Sequence, residues 1–486
     1  MTFDYDVIVI GSGPGGYATA LRTSELGLST AVIEMRNEIG GTCLNRGCIP
    51  TKAYLTAAHT LHDAHRASTW GIDVSVNSID MPALKAAKDK TVSSVVKGLA
   101  SFMKSRKIDV IHGVGSVESA HHVRVDSEDT SQELTAHHIV IATGSHASEL
   151  EELPFTKGDS DSIREAITRH DVPVLSSDEA LDLDVKLENV VIVGAGTIAL
   201  EFASFWNELG THVTVLLRKD APLSQWDSHI SSTVMRTMKR DGITFETHSH
   251  IESAAHGEVT YTVTSAKTGD VTEKHIPADV VLVAIGRAPH THAAWVAQSG
   301  LDMTSSGLVK TDAYGRTNLE NVWAVGDITS GPMLAHKAFE QALIVSDSIV
   351  GRDAHAFDSS MVPQVVFGMI DSVSIGYTAQ QAEEAGYRDV EETVVPQLSN
   401  PRVAMLGSNG VTVIVSALDA ETDTRIVVGI QMTGPSMSEL AGAAREIIHN
   451  KIPLHDTADA LFAHPTLSET LGESLLKADG RPLNVR

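Results

Sequence analysis

Cysteine is nearly absent from this sequence: Cys43 and Cys48 are the only two thiols in 486 residues. Two cysteines cannot build a disulfide scaffold, and a chain long enough for about two to four domains does not need one. The loop between them is so short that closing it would constrain little of the unfolded chain. Basic residues are scarce as well, with 37 Lys and Arg against 62 Asp and Glu, for a formal net charge of −25. That balance argues against a nucleic-acid backbone or an anionic membrane surface as partner. Long apolar runs are missing too, and none approaches the ~18 residues of a membrane span. Residues 1–6 are acidic and lead straight into a strand pattern, so no secretory signal is read there and a cytoplasmic location is expected. The rest is ordinary for a globular protein, 42% hydrophobic and 20% charged.

Both thiols lie in the block Gly40-Gly41-Thr42-Cys43-Leu44-Asn45-Arg46-Gly47-Cys48-Ile49-Pro50-Thr51-Lys52. On a helix they would be about one turn apart, facing the same side, and could close a disulfide. A zinc site lacks further ligands at Cys-x-x-Cys or His-x-x-x-His spacing, so no metal is expected. That leaves two unrelated buried thiols, or a dithiol that opens and closes during turnover. In a cytoplasmic protein a lone pair favours the redox dithiol.

The chain opens with a short apolar run, 7–10, as expected for a strand buried on both faces of a parallel sheet. Gly11-Ser12-Gly13-Pro14-Gly15-Gly16 follows, then a helical pattern, then a strand over 30–33 ending in Glu34. Strand, glycine turn, helix, strand and terminal acid together form a dinucleotide-binding fingerprint. The glycines admit a pyrophosphate to the helix N-terminus, and Glu34 would bond a ribose hydroxyl. The dithiol is expected on a helix continuing through Tyr54, Leu55 and Ala58. Strands are expected near 109–111, 123–125 and 139–141, the last running into Ala142-Thr143-Gly144-Ser145. Residues 149–170 read as an acidic, irregular linker with a small insertion.

The opening pattern then repeats. Residues 190–193 lead into Gly194-Ala195-Gly196-Thr197-Ile198-Ala199, a helix carrying Glu201, and a strand over 213–217. The 139–144 segment is echoed by 281–286, ending in Gly286-Arg287, so the duplication extends beyond the turns. Residues 321–327 form another strand, ending in Gly326-Asp327, where an acid would suit a sugar or ribityl hydroxyl. The last ~130 residues change to an α+β pattern, with strands near 411–415 and 426–430 and helices over 438–449 and 467–477. The pairs His121-His122 and His137-His138 read as solvated. The fold class is α/β: two Rossmann-like dinucleotide-binding domains plus a C-terminal α+β domain.

Along essentially its whole length the sequence resembles the flavoprotein pyridine-nucleotide–disulfide oxidoreductases, and within them the dihydrolipoyl dehydrogenase branch. The resemblance is carried by the two glycine turns, the 40–52 block, Ala142-Thr143-Gly144, Gly326-Asp327 and His464-Pro465-Thr466-Leu467-Ser468-Glu469. It implies an FAD-binding domain over 1–150 and 279–352, an NAD(P)-binding domain over 151–278, and a dimerisation domain over 353–486. It also implies FAD on Gly11, Gly13, Gly15, Gly16, Glu34, Gly41, Thr42, Thr143, Gly144, Gly326, Asp327 and Ala335. The nucleotide would lie on Gly194, Gly196 and Ala199, and Gly286 and Arg287 would also contact a cofactor. By the same resemblance Cys48 faces the flavin as a charge-transfer thiolate, and Cys43 is the interchange thiol. Lys52 sits by the flavin close to Glu201. His464, oriented by Glu469, is the acid/base that reaches the dithiol of the other subunit of a homodimer.

The sequence departs from that pattern in places. Glu34 lies 23 positions after Gly11, and the same step from Gly194 reaches Leu217, followed by Arg218 and Lys219. The missing acid and the adjacent cations favour NADP over NAD. Ile370-Asp371 stands where the family usually has Pro-Glu, and Arg46 lies between the cysteines, where it could favour a thiolate. Two enzyme readings result: oxidation of protein-bound dihydrolipoyl groups, or NADPH-dependent reduction of a small disulfide of the glutathione or mycothiol type. A flavoprotein without turnover is disfavoured by the intact set of Cys43, Cys48, Lys52, Glu201, His464 and Glu469.

Overall fold

The computed structural model describes residues 2–128 and 130–486. They fall into two compact units. One runs to Ala53 and takes in Lys85–Ser148 and Gly286–Ser359; the other comprises Tyr54–Leu84, Glu149–Ile285 and Ser360–Arg486.

In the first unit the strands lie in the order Asp109–His112, Thr30–Glu34, Tyr5–Ile10, Ser131–Ile141, His122–Asp126 and Val114–Ser119. Val322–Ala324 runs parallel to Ser131–Ile141 on that strand's other side. Tyr5–Ile10 is central, with parallel neighbours on both edges. Val7, Ile8 and Val9 are accordingly fully buried, each contributing roughly 1.5–3 kcal/mol by leaving water. This explains why the opening run is continuous and not alternating.

The cysteine block is not the single helix expected. Gly41–Arg46 is one short helix and Cys48–Arg66 a second, and Gly47 between them has φ −143° and ψ −108°. A side chain at 47 would come within 3.1 Å of Thr42 O. Glycine therefore lets the chain turn sharply there, and the thiols meet across a helix break, not along one helical face.

The second unit repeats the plan, with parallel strands in the order Thr244–Thr247, His212–Leu217, Asn189–Val193, Val280–Val283 and Val174–Leu175. The echo between 139–144 and 281–286 is structural: Ser131–Ile141 and Val280–Val283 each flank the strand that feeds a glycine turn. Gln364–Val366, Asp371–Gly376, Arg425–Gly434, Val411–Leu418 and Arg388–Pro396 form a separate antiparallel sheet. Phe205 and Trp206 share an apolar cluster with Val413 and Val415, which joins the parallel and antiparallel sheets into one unit.

Several local expectations are corrected. The 149–170 stretch is not wholly irregular, since Ser160–Thr168 is a helix whose N-cap, Asp159, accepts from Ser162 N. It buries only Ile163 and Ala166, too sparse an apolar face to stand out among its charges. The 438–449 helix begins as a 3₁₀ turn, Met437–Leu440, before Ala441–His449, and the last helix is Glu469–Ala478. Asp371 accepts hydrogen bonds from the backbone N–H and hydroxyl of Ser438, so the unusual Ile-Asp pair anchors that 3₁₀ turn. His138 is half-buried beside Trp323, whose Nε1 donates to its Nδ1 at 3.4 Å, and Phe3 packs on His121 and His137. Among the described residues no three His, Cys, Asp or Glu come together as metal ligands, and no helix is long and apolar enough to cross a membrane.

Candidate active site

The first glycine turn is shaped by close approach. Gly11 has φ 102°, and a Cβ there would lie 2.4 Å from Ala142 O. A Cβ on Gly16 would fall 1.8 Å from Gly11 O. Gly41 faces Gly13 so closely that its Cβ would come within 2.5 Å of the Gly13 Cα. The helix Pro14–Glu25 begins at Gly13 with no side-chain cap, so its first N–H groups are left for an anion. Glu34 is 6% exposed. Its Oε2 accepts from Ser12 N at 3.0 Å and Ser12 Oγ at 2.5 Å, and its Oε1 accepts from Arg36 N at 2.9 Å.

The far side of the cradle is tied together through Ser145, Gln341 and Lys337, which the sequence did not single out. Arg287 Nε donates to Ser145 Oγ at 2.7 Å, and Ser145 Oγ donates to Asp327 Oδ2 at 2.5 Å. Arg287 belongs to the first unit and acts there through Ser145. Thr143 Oγ1 donates to His290 O at 3.3 Å, and Gly144 O accepts from His290 N. Beneath the Gly326-Asp327 turn, Gly326 N donates to Gln341 Oε1 at 2.8 Å and Thr329 Oγ1 donates to Gly326 O at 2.8 Å. Lys337, fully buried, donates to Thr329 O at 3.0 Å and Ser330 O at 3.1 Å. Burial brings its ammonium down to about 8, while Asp327 acts the other way. Ala335 opens the Ala335–Ile349 helix, which also lacks a side-chain cap. Lys337 and Gln341 sit on that helix's buried face. Nothing in a helical pattern separates such a buried lysine from one that snorkels to solvent.

Cys43 and Cys48 are two half-buried thiols. A hydrogen bond to Cys48, burial, and the neighbouring thiol's charge push Cys43 well above the usual thiol range, with Lys52 opposing. Cys48 stands at the first position of its helix, where the helix dipole favours a negative charge. Lys52, not Arg46, is the leading cation on Cys43, whereas Arg46 acts on His290. Tyr17, also unremarked in the sequence, lies near both thiols. Burial and their charge push its hydroxyl up, and its ring packs on Phe339 at 5.8 Å.

In the second unit His464 Nδ1 is 2.8 Å from Glu469 Oε1, and Glu469 Oε2 accepts from Thr466 N at 2.7 Å. Although its partial burial works the other way, Thr466 N–H and His464 hold the Glu469 carboxyl below the usual range. The His464 side chain is 69% exposed. Glu201 is buried and accepts from Phe367 N at 3.2 Å. Lys52 and Glu201 belong to different units.

The second glycine turn copies the first: Gly194 has φ 110°, and a Cβ there would lie 2.3 Å from Ala284 O. Gly196 caps Thr197–Glu208 with its backbone alone, and Ala199 is fully buried on that helix. Arg218 and Lys219, directly after His212–Leu217, are exposed.

Residues 5–342 match the family model for pyridine nucleotide-disulphide oxidoreductases, and residues 362–475 match that family's dimerisation domain. This chain belongs to that family. The dihydrolipoyl dehydrogenase of Bacillus subtilis is 33% identical over 482 residues, covering 99% of this chain and 97% of the relative. Dihydrolipoyl dehydrogenase 1 of Arabidopsis thaliana mitochondria is 34% identical, covering 99% and 91%. Among solved structures, LpdA of Mycobacterium tuberculosis aligns with TM-score 0.83 at 23% identity over 97% of this chain and 99% of that one, a likeness of fold. The HOCl-induced flavoprotein disulfide reductase RclA of Escherichia coli, in its Cu(II) complex, aligns with TM-score 0.80 at 25% identity over 98% and 99%.

As a pyridine nucleotide–disulphide oxidoreductase, the chain is an enzyme using FAD and NAD(P). Its first unit fits a flavin dinucleotide. The close approaches at Gly11, Gly16 and Gly41 require glycine there, the uncapped Pro14–Glu25 helix leaves its first N–H groups for a pyrophosphate, and Glu34 is held buried beside the turn.

Proposed function

We propose that this enzyme oxidises dihydrolipoyl groups and passes the electrons to a nicotinamide dinucleotide. The observation that carries this reading is the thiol pair itself, Cys43 and Cys48 held in hydrogen-bond contact across the break at Gly47, in a chain whose full-length relatives are dihydrolipoyl dehydrogenases. Dihydrolipoyl oxidation begins from the disulfide form of this pair. A substrate thiolate attacks the Cys43 sulfur, releasing Cys48 as a thiolate and forming a mixed disulfide between Cys43 and the substrate. The second substrate thiol then attacks its own sulfur in that bond, closing the lipoyl disulfide and expelling Cys43 as a thiolate. One proton is then taken up, leaving the reduced pair with one thiol and one thiolate.

Within the homodimer we assign the proton acceptance that activates each substrate thiol to His464 of the partner subunit. Nδ1 is fixed on Glu469, leaving Nε2 free to accept. Gly11, Gly13, Gly15, Gly16, Glu34, Gly41, Thr42, Thr143, Gly144, Asp327 and Ala335 would hold FAD, with Lys52 beside it. When bound, FAD supplies the two-electron relay between dithiol and nicotinamide. Gly194, Gly196 and Ala199 would cradle the nicotinamide dinucleotide, with Glu201 on the helix after the turn. We place the work in the cytoplasm, where a thiol pair can be re-reduced.

The rival reading is NADPH-driven reduction of a small disulfide, favoured by the cations at 218 and 219. The test is initial rates of dihydrolipoamide with NAD⁺ and NADP⁺, set against NADH and NADPH with a panel of small disulfides. Fast dihydrolipoamide oxidation is expected. Slow oxidation there, with fast reduction of a glutathione- or mycothiol-type disulfide, overturns the dihydrolipoyl reading.

A further inference from the structure

The two glycine turns can be superposed residue by residue on the hydrogen bonds that frame them. In the first, Gly11 N donates to Ile33 O at 2.8 Å, so Glu34 is the next residue beside the turn. In the second, Gly194 N donates to Leu216 O at 2.9 Å, which puts Leu217 in the place of Glu34 and Ala195 in that of Ser12. The first turn joins its pair through Ser12 N and Oγ on Glu34 Oε2. In the second, both members are apolar. Acid and hydroxyl have been lost together, so the ribose acceptor and the group that held it are both gone.

What stands there instead is positive. Arg218 and Lys219 follow Leu217 directly, are exposed, and make no ion pair among the described residues. The nearest carboxylate in sequence, Asp220, is taken up by His248, with Nε2 2.8 Å from Oδ1. The loop cannot swing its cations away freely. Leu223 N donates to Ala195 O at 3.0 Å, fastening the segment after Lys219 back onto the glycine turn. Guanidinium and ammonium groups thus stand where a free 2′-hydroxyl would meet no acceptor, whereas a 2′-phosphate would meet two cations.

We propose that Arg218 and Lys219 form a 2′-phosphate subsite, so that the second turn selects NADP(H) over NAD(H). The proposal rests on the reading of this turn as the nicotinamide nucleotide site, and not on which disulfide the enzyme uses.

The test is direct binding of 2′,5′-ADP and 5′-AMP to the FAD-loaded enzyme by calorimetry. It is paired with NADPH and NADH oxidation by an artificial quinone acceptor, which does not require the dithiol. The enzyme should bind 2′,5′-ADP at least tenfold tighter than 5′-AMP, with a preference that weakens as salt rises. Arg218→Ala should cut 2′,5′-ADP affinity about tenfold and leave 5′-AMP unchanged, and Lys219→Ala should act in the same sense. The double change Ala195→Ser, Leu217→Glu should shift the kcat/KM ratio toward NADH. Equal binding of the two analogues by the unaltered enzyme, or equal losses for both in Arg218→Ala, overturns the subsite. Clear 2′,5′-ADP selectivity in an enzyme that fails to oxidise dihydrolipoamide would sink only the dihydrolipoyl reading.

Discussion

Ser12 donates twice to a single oxygen of Glu34, from its backbone N–H at 3.0 Å and its hydroxyl at 2.5 Å. Both residues are buried, so the carboxylate that would accept from the flavin's ribose is held by the protein before any ligand arrives. Ser12→Ala removes one donor from a buried charge, costing about 1.5–3 kcal/mol. The variant should purify with a lower FAD-to-protein ratio and melt several degrees earlier. Full flavin content at an unchanged Tm would mean that the hydroxyl does not position Glu34.

Lys52 is the cation that opposes the upward push on Cys43. In Lys52→Met that opposition is gone, so ionisation of the reduced pair moves to higher pH. The rate of iodoacetamide alkylation, followed against pH in the reduced enzyme, should have its midpoint raised by about one unit. An unmoved midpoint would show that the Lys52 charge does not reach the thiols.

Glu469 bonds the Nδ1 side of His464 and is held below the usual carboxylate range. Glu469→Gln leaves the imidazole without the carboxylate that orients it. The expected outcome is a kcat for dihydrolipoamide oxidation lower by about 10- to 100-fold at an unchanged Tm. An unchanged kcat would mean that Glu469 does not position His464, and a lowered Tm would point to lost folding. Because the folded carboxyl titrates low, its contribution to stability is complete above the unfolded carboxyl pKa and is lost as pH falls through the folded value.

The sequence made the two sheets legible because their central strands are buried on both faces and their turns admit only glycine. Gly11 and Gly194 would each put a Cβ within about 2.4 Å of a carbonyl oxygen, and such sterics leave a plain mark in the residues. The break at Gly47 was hidden, because one glycine inside a helical pattern is as compatible with continuation as with a turn. Ser145, Lys337 and Gln341 were hidden for another reason. Each works through partners 12 to 182 positions away or through a loop carbonyl, and local spacing carries no trace of such pairings. The loss of Glu34's counterpart was visible at Leu217, but the matching loss of Ser12's hydroxyl at Ala195 acquires meaning only once the two turns are set bond on bond.

Lys337 gives the last test. Its ammonium is fully buried under the Gly326-Asp327 turn, and its pKa is lowered to about 8. A lysine in the unfolded chain titrates near 10.4. Between those values the unfolded state binds the extra proton, so stability due to this group rises with pH across the interval. Below pH ~8 both states are charged and the burial penalty is felt in full, at roughly 3 kcal/mol. Lys337→Met removes the titration together with the hydrogen bonds to Thr329 and Ser330. The difference in Tm between the unaltered enzyme and Lys337→Met should therefore grow in favour of the unaltered enzyme as pH rises from about 8 toward 10. Differential scanning calorimetry at four or five pH values measures it. A difference that stays flat would mean that burial does not lower the pKa of Lys337, which would then titrate alike in the folded and unfolded chains.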